Sequence, residues 1–384
     1  MICHKNDCTG CFACFNICPK KAIYMTKDEY GNIYPKIDEN KCINCGLCKK
    51  VCPQLKEKLN FKKPIDAYAM HIDDDKKRSE STSGGAATAF YEKVLSEKGI
   101  VYGAANLFGK EQFEFVRITK TSDLYKVKGS KYVHCYINNI FSDIKKDLSN
   151  DKKVLFIGTP CQVSGLKSFL MKDYDNLITV DIICHGVPSQ ELLFEELKSY
   201  KINLKDVHYV FFRDEKYFNL KICDINKKVL LEKKQDLSNY YSSFLHGDIY
   251  RENCYNCRYA QRKRISDITI GDFWGLSKES KVNDSEEKGI SLIMPNTKKG
   301  EKLLFSIYNE CIIEKRTIEE ACAINHQLNH PTYKTKKYEI YIKNYPKLGY
   351  IKTMNKMKSF KEKIKFKIKN NKILYRIIGK LKHH

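Results

Sequence analysis

Short apolar runs punctuate the chain from Ala67 onward. Gly99-Ile-Val-Tyr-Gly103, Val154-Leu-Phe-Ile-Gly158, Ile178-Thr-Val-Asp-Ile-Ile183 and Val207-His-Tyr-Val-Phe-Phe212 are too short for helices and rich in β-branched and aromatic residues, so each predicts a strand. Ala86 to Glu97 and Gln190 to Tyr200 lie between them with helical patterning. A second group of strands is predicted at Leu220 to Cys223, Val229 to Glu232, Ile268 to Ile270 and Ile290 to Met294, followed by a helix near Lys299 to Asn309. This mixture predicts a mixed α/β core.

Residues 1–56 break the pattern. They are dense in cysteine and short of periodic segments, so bound ligands must hold them together where a hydrophobic core cannot. Lys56 to Pro64 reads as a linker, 67–150 and 151–333 as the two parts of the core, and 334–384 as a basic helical tail. The expected fold class is α+β: a cysteine-rich amino-terminal module, a mixed α/β core, and a carboxyl-terminal basic helix.

Cys8, Cys11, Cys14 and Cys18 precede Pro19, and Cys42, Cys45, Cys48 and Cys52 precede Pro53, so CxxCxxCxxxCP is written twice. Three thiolates two residues apart wrap three iron corners of a cubane, and the fourth, beyond a turn ended by proline, reaches the other cluster. The expected sets therefore cross: Cys8, Cys11, Cys14 and Cys52 for one [4Fe-4S] cluster, Cys42, Cys45, Cys48 and Cys18 for the second. A zinc module uses pairs of CxxC and has no use for the third cysteine and the proline. Gly10 and Gly46 suit a backbone that points N–H groups at sulfur.

Four more cysteines fall where strands should end. Cys161 follows Val154–Gly158, Cys184 ends the run from Ile178, and Cys254 and Cys257 form a CxxC. Strand ends at one edge of a sheet lie close together, so these thiols suit one closed site. Buried structural cysteines, or a CxxC redox pair, fit the spacing as well.

Ser81-Thr-Ser-Gly-Gly85, Lys128-Gly-Ser-Lys-Tyr132, Gly158-Thr-Pro-Cys-Gln-Val-Ser-Gly165, Asp181-Ile-Ile-Cys-His-Gly186 and Ser266-Asp-Ile-Thr-Ile-Gly-Asp-Phe-Trp-Gly275 occur in that order. Over residues 67 to 330 the chain resembles the coenzyme F-420 hydrogenase/dehydrogenase beta-subunit family. The resemblance implies FAD and a third [4Fe-4S] cluster on Cys161, Cys184, Cys254 and Cys257. The classical hydrogenase subunit lacks the double cysteine motif, so this chain resembles a ferredoxin-fused branch, for which a different electron partner is expected.

Ser81, Ser83, Gly84 and Gly85 stand just before a helical pattern, where backbone N–H groups and hydroxyls suit a flavin phosphate; a plain helix cap is the alternative. Lys128, Ser130, Lys131 and Tyr132 combine cations, a hydroxyl and a ring as a phosphate and ring platform. Asp272 is expected to orient flavin or substrate and Trp274 to shield a cluster. His185, beside Cys184, is the candidate catalytic proton donor. No GxGxxG follows a strand and no GxxxxGK[ST] is present, which argues against a nicotinamide fingerprint and a P-loop.

Seventeen cysteines in 384 residues, many in CxxC pairs, fit metal ligation in a reducing compartment better than a disulfide framework. The start MICHKNDC lacks a signal-peptide core and no apolar run is long enough to span a membrane, so a cytoplasmic protein is expected. Of the formal charge of +23, residues 334–384 supply 17 Lys/Arg against two Glu, so the excess is mostly a tail property and no specific nucleic-acid partner is expected. Met357, Phe360, Ile364, Ile368, Ile373, Ile377 and Leu381 recur at helical spacing, which suits an anionic membrane surface or an acidic partner; a solvated helix packed on its own protein is the alternative. Cys3, Cys135, Cys223, Cys311 and Cys322 lack ligand spacing and are expected to be incidental. The expected activity is that of an iron–sulfur flavoprotein oxidoreductase taking electrons from a ferredoxin-like donor or a reduced deazaflavin. The alternative is an electron-transfer subunit beside a catalytic partner.

Overall fold

In the computed structural model, which describes residues 2–213, 218–277, 279–282 and 288–370, Val154 and Phe156 enter one apolar core while Leu155 and Ile157 enter another. A strand covered on both faces must divide its side chains in this way.

The amino-terminal module pairs two short helices, α1 (Ala13–Ile17) and α2 (Leu47–Lys50), with the antiparallel hairpin β1 (Ile23–Lys27) and β2 (Ile33–Ile37). The first half of the core holds β3 (Ala67–Ile72), α3 (Asp75–Ser79), α4 (Ala86–Ser96), β4 (Ile100–Ala104), β5 (Phe115–Ile118), α5 (Ile140–Ser149), β6 (Val154–Gly158), α6 (Pro160–Leu170), β7 (Leu177–Ile182) and α7 (Gln190–Ser199). The second half adds β8 (Tyr209–Phe211), β9 (Asn219–Cys223), β10 (Val229–Lys234), α8 (Asn239–Leu245), β11 (Ile268–Asp272), β12 (Ser291–Pro295), α9 (Lys298–Phe305), β13 (Cys311–Arg316), α10 (Ile318–Ile324), α11 (Lys336–Met357) and α12 (Phe360–Asn370).

One eight-stranded sheet runs β13-β3-β12-β11-β7-β6-β4-β5. Its centre, β11, β7, β6 and β4, is parallel, and antiparallel strands close both sides. Phe90 of α4 and Leu303 of α9 cover the face of Leu155, and Ile144 of α5 and Leu166 of α6 cover the face of Val154. The carboxyl ends of β6, β7 and β11 therefore open at one edge, where ligands of open α/β sheets bind. β8, β9 and β10 form a small antiparallel sheet.

The module is built into the core. Phe12, Ala13, Ile33 and Val51 belong to the same apolar cluster as Val154. Asn16 Nδ2 donates to Asn138 O (2.7 Å), Ser189 Oγ to Tyr30 O (2.8 Å), and Arg258 Nη1 to Pro53 O and Lys56 O (both 3.1 Å).

The basic tail from residue 334 begins as a helix, and its first stretch packs on its own protein. Tyr338, Tyr341, Tyr345, Tyr350, Met354 and Met357 of α11 are buried, because these side chains supply more apolar surface than the lysines between them withhold. The helix breaks at Gly349 (φ 69°), and Tyr30 of the module stacks on Tyr345 with centroids 6.2 Å apart. A new helix, α12, starts at Phe360, so Met357 does not share its face with Phe360 and Ile364, both exposed. The side chain of Ile368, and Ile373, Ile377 and Leu381, lie outside the described residues. Among the described residues no helix is long and apolar enough to cross a membrane.

Candidate functional site

The two cysteine motifs fold as matching turns. Cys14 and Cys48 are each the second residue of a helix, after Phe12 (φ 63°) and Gly46 (φ 74°) in the left-handed region. The thiols then gather as crossed sets. Cys14 lies in the electrostatic field of Cys11, Cys8 and Cys52, whereas Cys48 lies in that of Cys45 and Cys18. Burial pushes Cys11 up to about 12, whereas hydrogen bonding from Cys3 lowers Cys8 to about 6 and Cys52 to about 7. Backbone N–H groups of Gly10, Ala13 and Gln54 point at Cys8, Cys11 and Cys52, and Ala22 N donates to Cys18 Sγ (3.2 Å). The first set is enclosed, but Cys45 is exposed and nothing lies within 4 Å of a Cβ placed on Gly46. Cys3 is not incidental: its thiol is in hydrogen-bond reach of both Cys8 and Cys52. Five residues of irregular backbone before Cys8 bring it there, and no spacing rule marks it.

The core cysteines meet at the open sheet edge. Cys161 is the second residue of α6, after Pro160, with a capping box between Thr159 and Gln162 and Thr159 Oγ1 3.2 Å from its sulfur. Cys184 follows β7, and Cys254 and Cys257 sit in and after the turn Glu252–Asn256. Cys184 lies in the field of Cys254, Cys161 and Cys257, and burial pushes Cys161 and Cys254 up to about 12. Beneath them, buried Arg264 donates from Nη2 to Asp181 Oδ1 (3.0 Å) and from Nη1 to Tyr259 O and Gln261 O (3.0 and 3.1 Å), which pins the segment after Cys257.

One turn along α6 from Cys161, Gly165 faces the module. A Cβ there would lie 2.9 Å from Cys11 Cβ and 3.0 Å from Cys11 Sγ, so only glycine admits this approach. The first set and the core set are thus neighbours across a single helix.

A cavity of ≈ 270 Å³ opens beside Cys184. Gly85, Ala86, Ala87 and Thr88 bring in the amino end of α4, whose N-cap glycine has no side chain and where Ser291 Oγ accepts from Ala86 N (3.4 Å). Lys128, Ser130, Lys131, Tyr132, His185, Asp272 and Trp274 also line it. Lys131 Nζ donates to Val127 O, Lys128 O and Gly129 O (3.0, 2.7 and 2.9 Å), and burial lowers it to about 7. Lys128 Nζ meets Glu80 (3.2 Å), and Tyr132 stacks on Phe244 at 4.6 Å. Asp272 accepts from Arg213 Nη1 on both oxygens (2.8 Å), a partner that one arginine in Phe211-Phe212-Arg213 does not announce. His185 stands in the cavity wall, where desolvation holds its imidazole below the usual range. Trp274, 39% exposed, stacks on Phe218 at the rim.

Three expected flavin contacts are corrected. Ser81 lies outside the cavity lining, and its hydroxyl donates to Lys77 O (2.7 Å) and Thr88 Oγ1 (2.9 Å). Ser83 reaches the cavity, but its hydroxyl donates to Ile290 O (2.8 Å). Gly84 is outside the lining too; a Cβ on it would lie 2.1 Å from Met70 O, so it is there to let the loop press on β3.

Residues 67–141 match the model of the coenzyme F-420 hydrogenase/dehydrogenase beta subunit N-terminus, and 151–321 that of its C-terminus. Residues 7–55 and 34–91 match models of a 4Fe-4S dicluster domain. An uncharacterised protein of Methanocaldococcus jannaschii is 23% identical over 82% of this chain and 90% of its own length. The coenzyme F-420-dependent sulfite reductase of the same organism is 25% identical over 77% of this chain, which spans 45% of that enzyme. A chain of the F-420-reducing [NiFe] hydrogenase complex of Methanosarcina barkeri aligns at TM-score 0.45 and 17% identity, over 71% of this chain and 92% of that one, a likeness below the level that fixes a fold. Matches to both halves of one family model, with the dicluster match before them, make this chain a member of the coenzyme F-420 hydrogenase/dehydrogenase beta-subunit family joined to an amino-terminal 4Fe-4S dicluster domain.

Proposed function

We propose that the chain is an iron–sulfur flavoprotein oxidoreductase in which three [4Fe-4S] clusters and FAD connect an electron carrier, docked at the exposed second cysteine set, to a substrate at the cavity. The observation that carries this reading is the contact of Gly165 with Cys11. It places the first set against the helix that begins at Cys161, while Cys184 of the core set faces the cavity. In the first and core sets thiols come together with backbone N–H groups turned toward several of them, the pattern that iron–sulfur ligands show. Clusters supply one-electron transfer, and a flavin supplies the exchange between one-electron and two-electron chemistry.

The amino end of α4, with Lys128 and Ser130 beside it, would hold the flavin's anionic part. Tyr132 and Trp274 supply apolar wall, and the Arg213–Asp272 pair fixes polar groups at the mouth. His185, neutral at pH 7, accepts a proton there or passes one on. The donor is a ferredoxin-like protein or a reduced deazaflavin.

A second reading, an electron-transfer subunit of a larger complex, draws on the family's description as a beta subunit. Anaerobic purification with iron, sulfide and flavin quantitation tests the first reading. About twelve iron per chain with FAD is expected. About eight iron and no flavin would leave only the module, and zinc in place of iron would end the reading. Turnover by the isolated chain, against turnover only with a co-purifying catalytic subunit, separates the two.

A further inference from the structure

Two arginines are fully buried, and they are partnered differently. Arg264 meets the carboxylate of Asp181. Arg251 is 0% exposed, and among the described residues it meets no carboxylate. Its guanidinium donates only to neutral acceptors: Nη2 to Cys8 O (2.9 Å) and Ile33 O (3.2 Å), Nη1 to Ile33 O (3.2 Å) and Nε to Asn253 Oδ1 (3.2 Å). The ring of Tyr34 lies 4.7 Å from it. Hydrogen bonds to carbonyls satisfy its N–H groups but leave its charge uncompensated, and an uncompensated buried charge costs several kcal/mol. A fold that keeps such a residue supplies the anion in another form.

The position of Arg251 names that anion. Its guanidinium touches the carbonyl of Cys8 and would lie 3.5 Å from a Cβ on Gly10, inside the first cysteine set. Its own carbonyl accepts from Cys254 N at 3.0 Å, three residues along the chain in the core set. On the core side its Nε donates to Asn253 Oδ1 (3.2 Å), whose Nδ2 in turn reaches Cys254 Sγ (3.8 Å), so one guanidinium stands between the two sets. A [4Fe-4S] cluster on four thiolates is a net anion in both redox states and gains one negative charge when it takes up one electron, with no bond broken and no proton required.

We propose that Arg251 is the shared countercharge of the first cluster and the core cluster, lifting the midpoint potentials of both together. This rests on the cluster assignment above. Arg251 contacts neither substrate nor flavin; it is a positioning and potential-setting residue acting through the clusters, and it holds its charge throughout because guanidinium does not deprotonate in proteins.

The test is an EPR-monitored redox titration of the full chain, purified anaerobically, with iron and sulfide measured on each sample. Wild type lacking iron would sink the cluster assignment and this proposal with it. With wild-type iron loading, Arg251→Gln is expected to lower the midpoints of the first and core clusters and leave the exposed second cluster unchanged, and Arg251→Lys to restore most of the shift. Unmoved midpoints in loaded Arg251→Gln, or equal shifts in all three clusters, would overturn the countercharge alone. If Arg251→Gln fails to retain iron, Asn253→Asp sets a near-isosteric carboxylate on Nε of Arg251 and partly neutralises it. There the first-cluster midpoint decides, because Asn253 Nδ2 reaches Cys254 Sγ (3.8 Å) and a carboxylate would act on the core cluster directly: a lowered first midpoint supports the proposal, and an unchanged one overturns it.

Discussion

Gly165 presses on Cys11: the side chain that glycine lacks would fall 3.0 Å from the sulfur. Gly165→Ala therefore must displace either α6 or the first cysteine set, and overpacking of this kind costs about 1–3 kcal/mol. The expected result is a melting temperature lowered by several degrees, a more labile first cluster and slower electron passage from module to cavity. Thermal melts with EPR of the reduced protein measure this. A variant identical to wild type in both would show the contact to be idle.

Asp181→Asn attacks a different support. Asp181 accepts from Arg264 (3.0 Å) and Thr269 Oγ1 (2.6 Å), and both charged partners are almost wholly buried. Stranding one member of a buried pair costs about 3–5 kcal/mol. Because Arg264 also holds the carbonyls of Tyr259 and Gln261, core-set iron should be lost before module iron when urea is raised. Urea titration with iron release followed at both sites reads the order.

The sequence carries some of this in the open and hides the rest for a physical reason. The doubled motif is local, so ligand spacing alone assigns crossed sets; in the structure Cys52 of the second motif acts on Cys14, and Cys18 of the first acts on Cys48. The strand pattern holds for the parallel centre, where Val154–Gly158 is β6 residue for residue, because two-sided burial writes an unbroken apolar run. Edge strand β13 escapes notice because Glu314, Lys315 and Arg316 interrupt it. Ser81 and Ser83 look like phosphate donors in a row of residues, but hydroxyls that reach a neighbouring backbone are already spent. Cys3, Arg213 and Arg251 matter through partners far away in the chain, and one sequence does not pair distant residues.

The exposed second set is ringed by lysines. Lys20 and Lys21 follow Cys18, Lys41 precedes Cys42, Lys49 and Lys50 follow Cys48, and all five are exposed, with Ile43 57% exposed at the tip. A basic rim around an apolar tip suits an acidic carrier, and its main effect is on the rate of encounter. Lys49→Glu with Lys50→Glu should raise the KM for an acidic ferredoxin about tenfold at low salt, with kcat from dithionite unchanged. Stopped-flow reduction across a salt series checks this, and wild-type rates that do not fall with salt would remove the docking face.

Lys131 gives the pH dependence. Burial lowers it to about 7, so between there and its unfolded value of about 10.4 the unfolded chain holds a proton that the folded chain lacks. Stability from this group therefore rises with pH across that window, by up to about 1.4 kcal/mol per unit, and is flat below it. The buried cysteines act in the opposite sense: Cys135 is pushed up to about 12, keeps its proton longer when folded, and lowers stability as pH rises past its unfolded range. Only the difference between wild type and Lys131→Met isolates the lysine, and in urea melts that difference should grow from pH 7 to 10. An anionic ligand in the cavity reverses the shift, because a negative charge near Lys131 favours its protonated form. FAD binding at pH 8 should then take up protons, seen as calorimetric heats that vary with the ionisation enthalpy of the buffer, and Lys131→Met should abolish the variation. Buffer-independent heats in wild type would place the flavin's charge away from this loop.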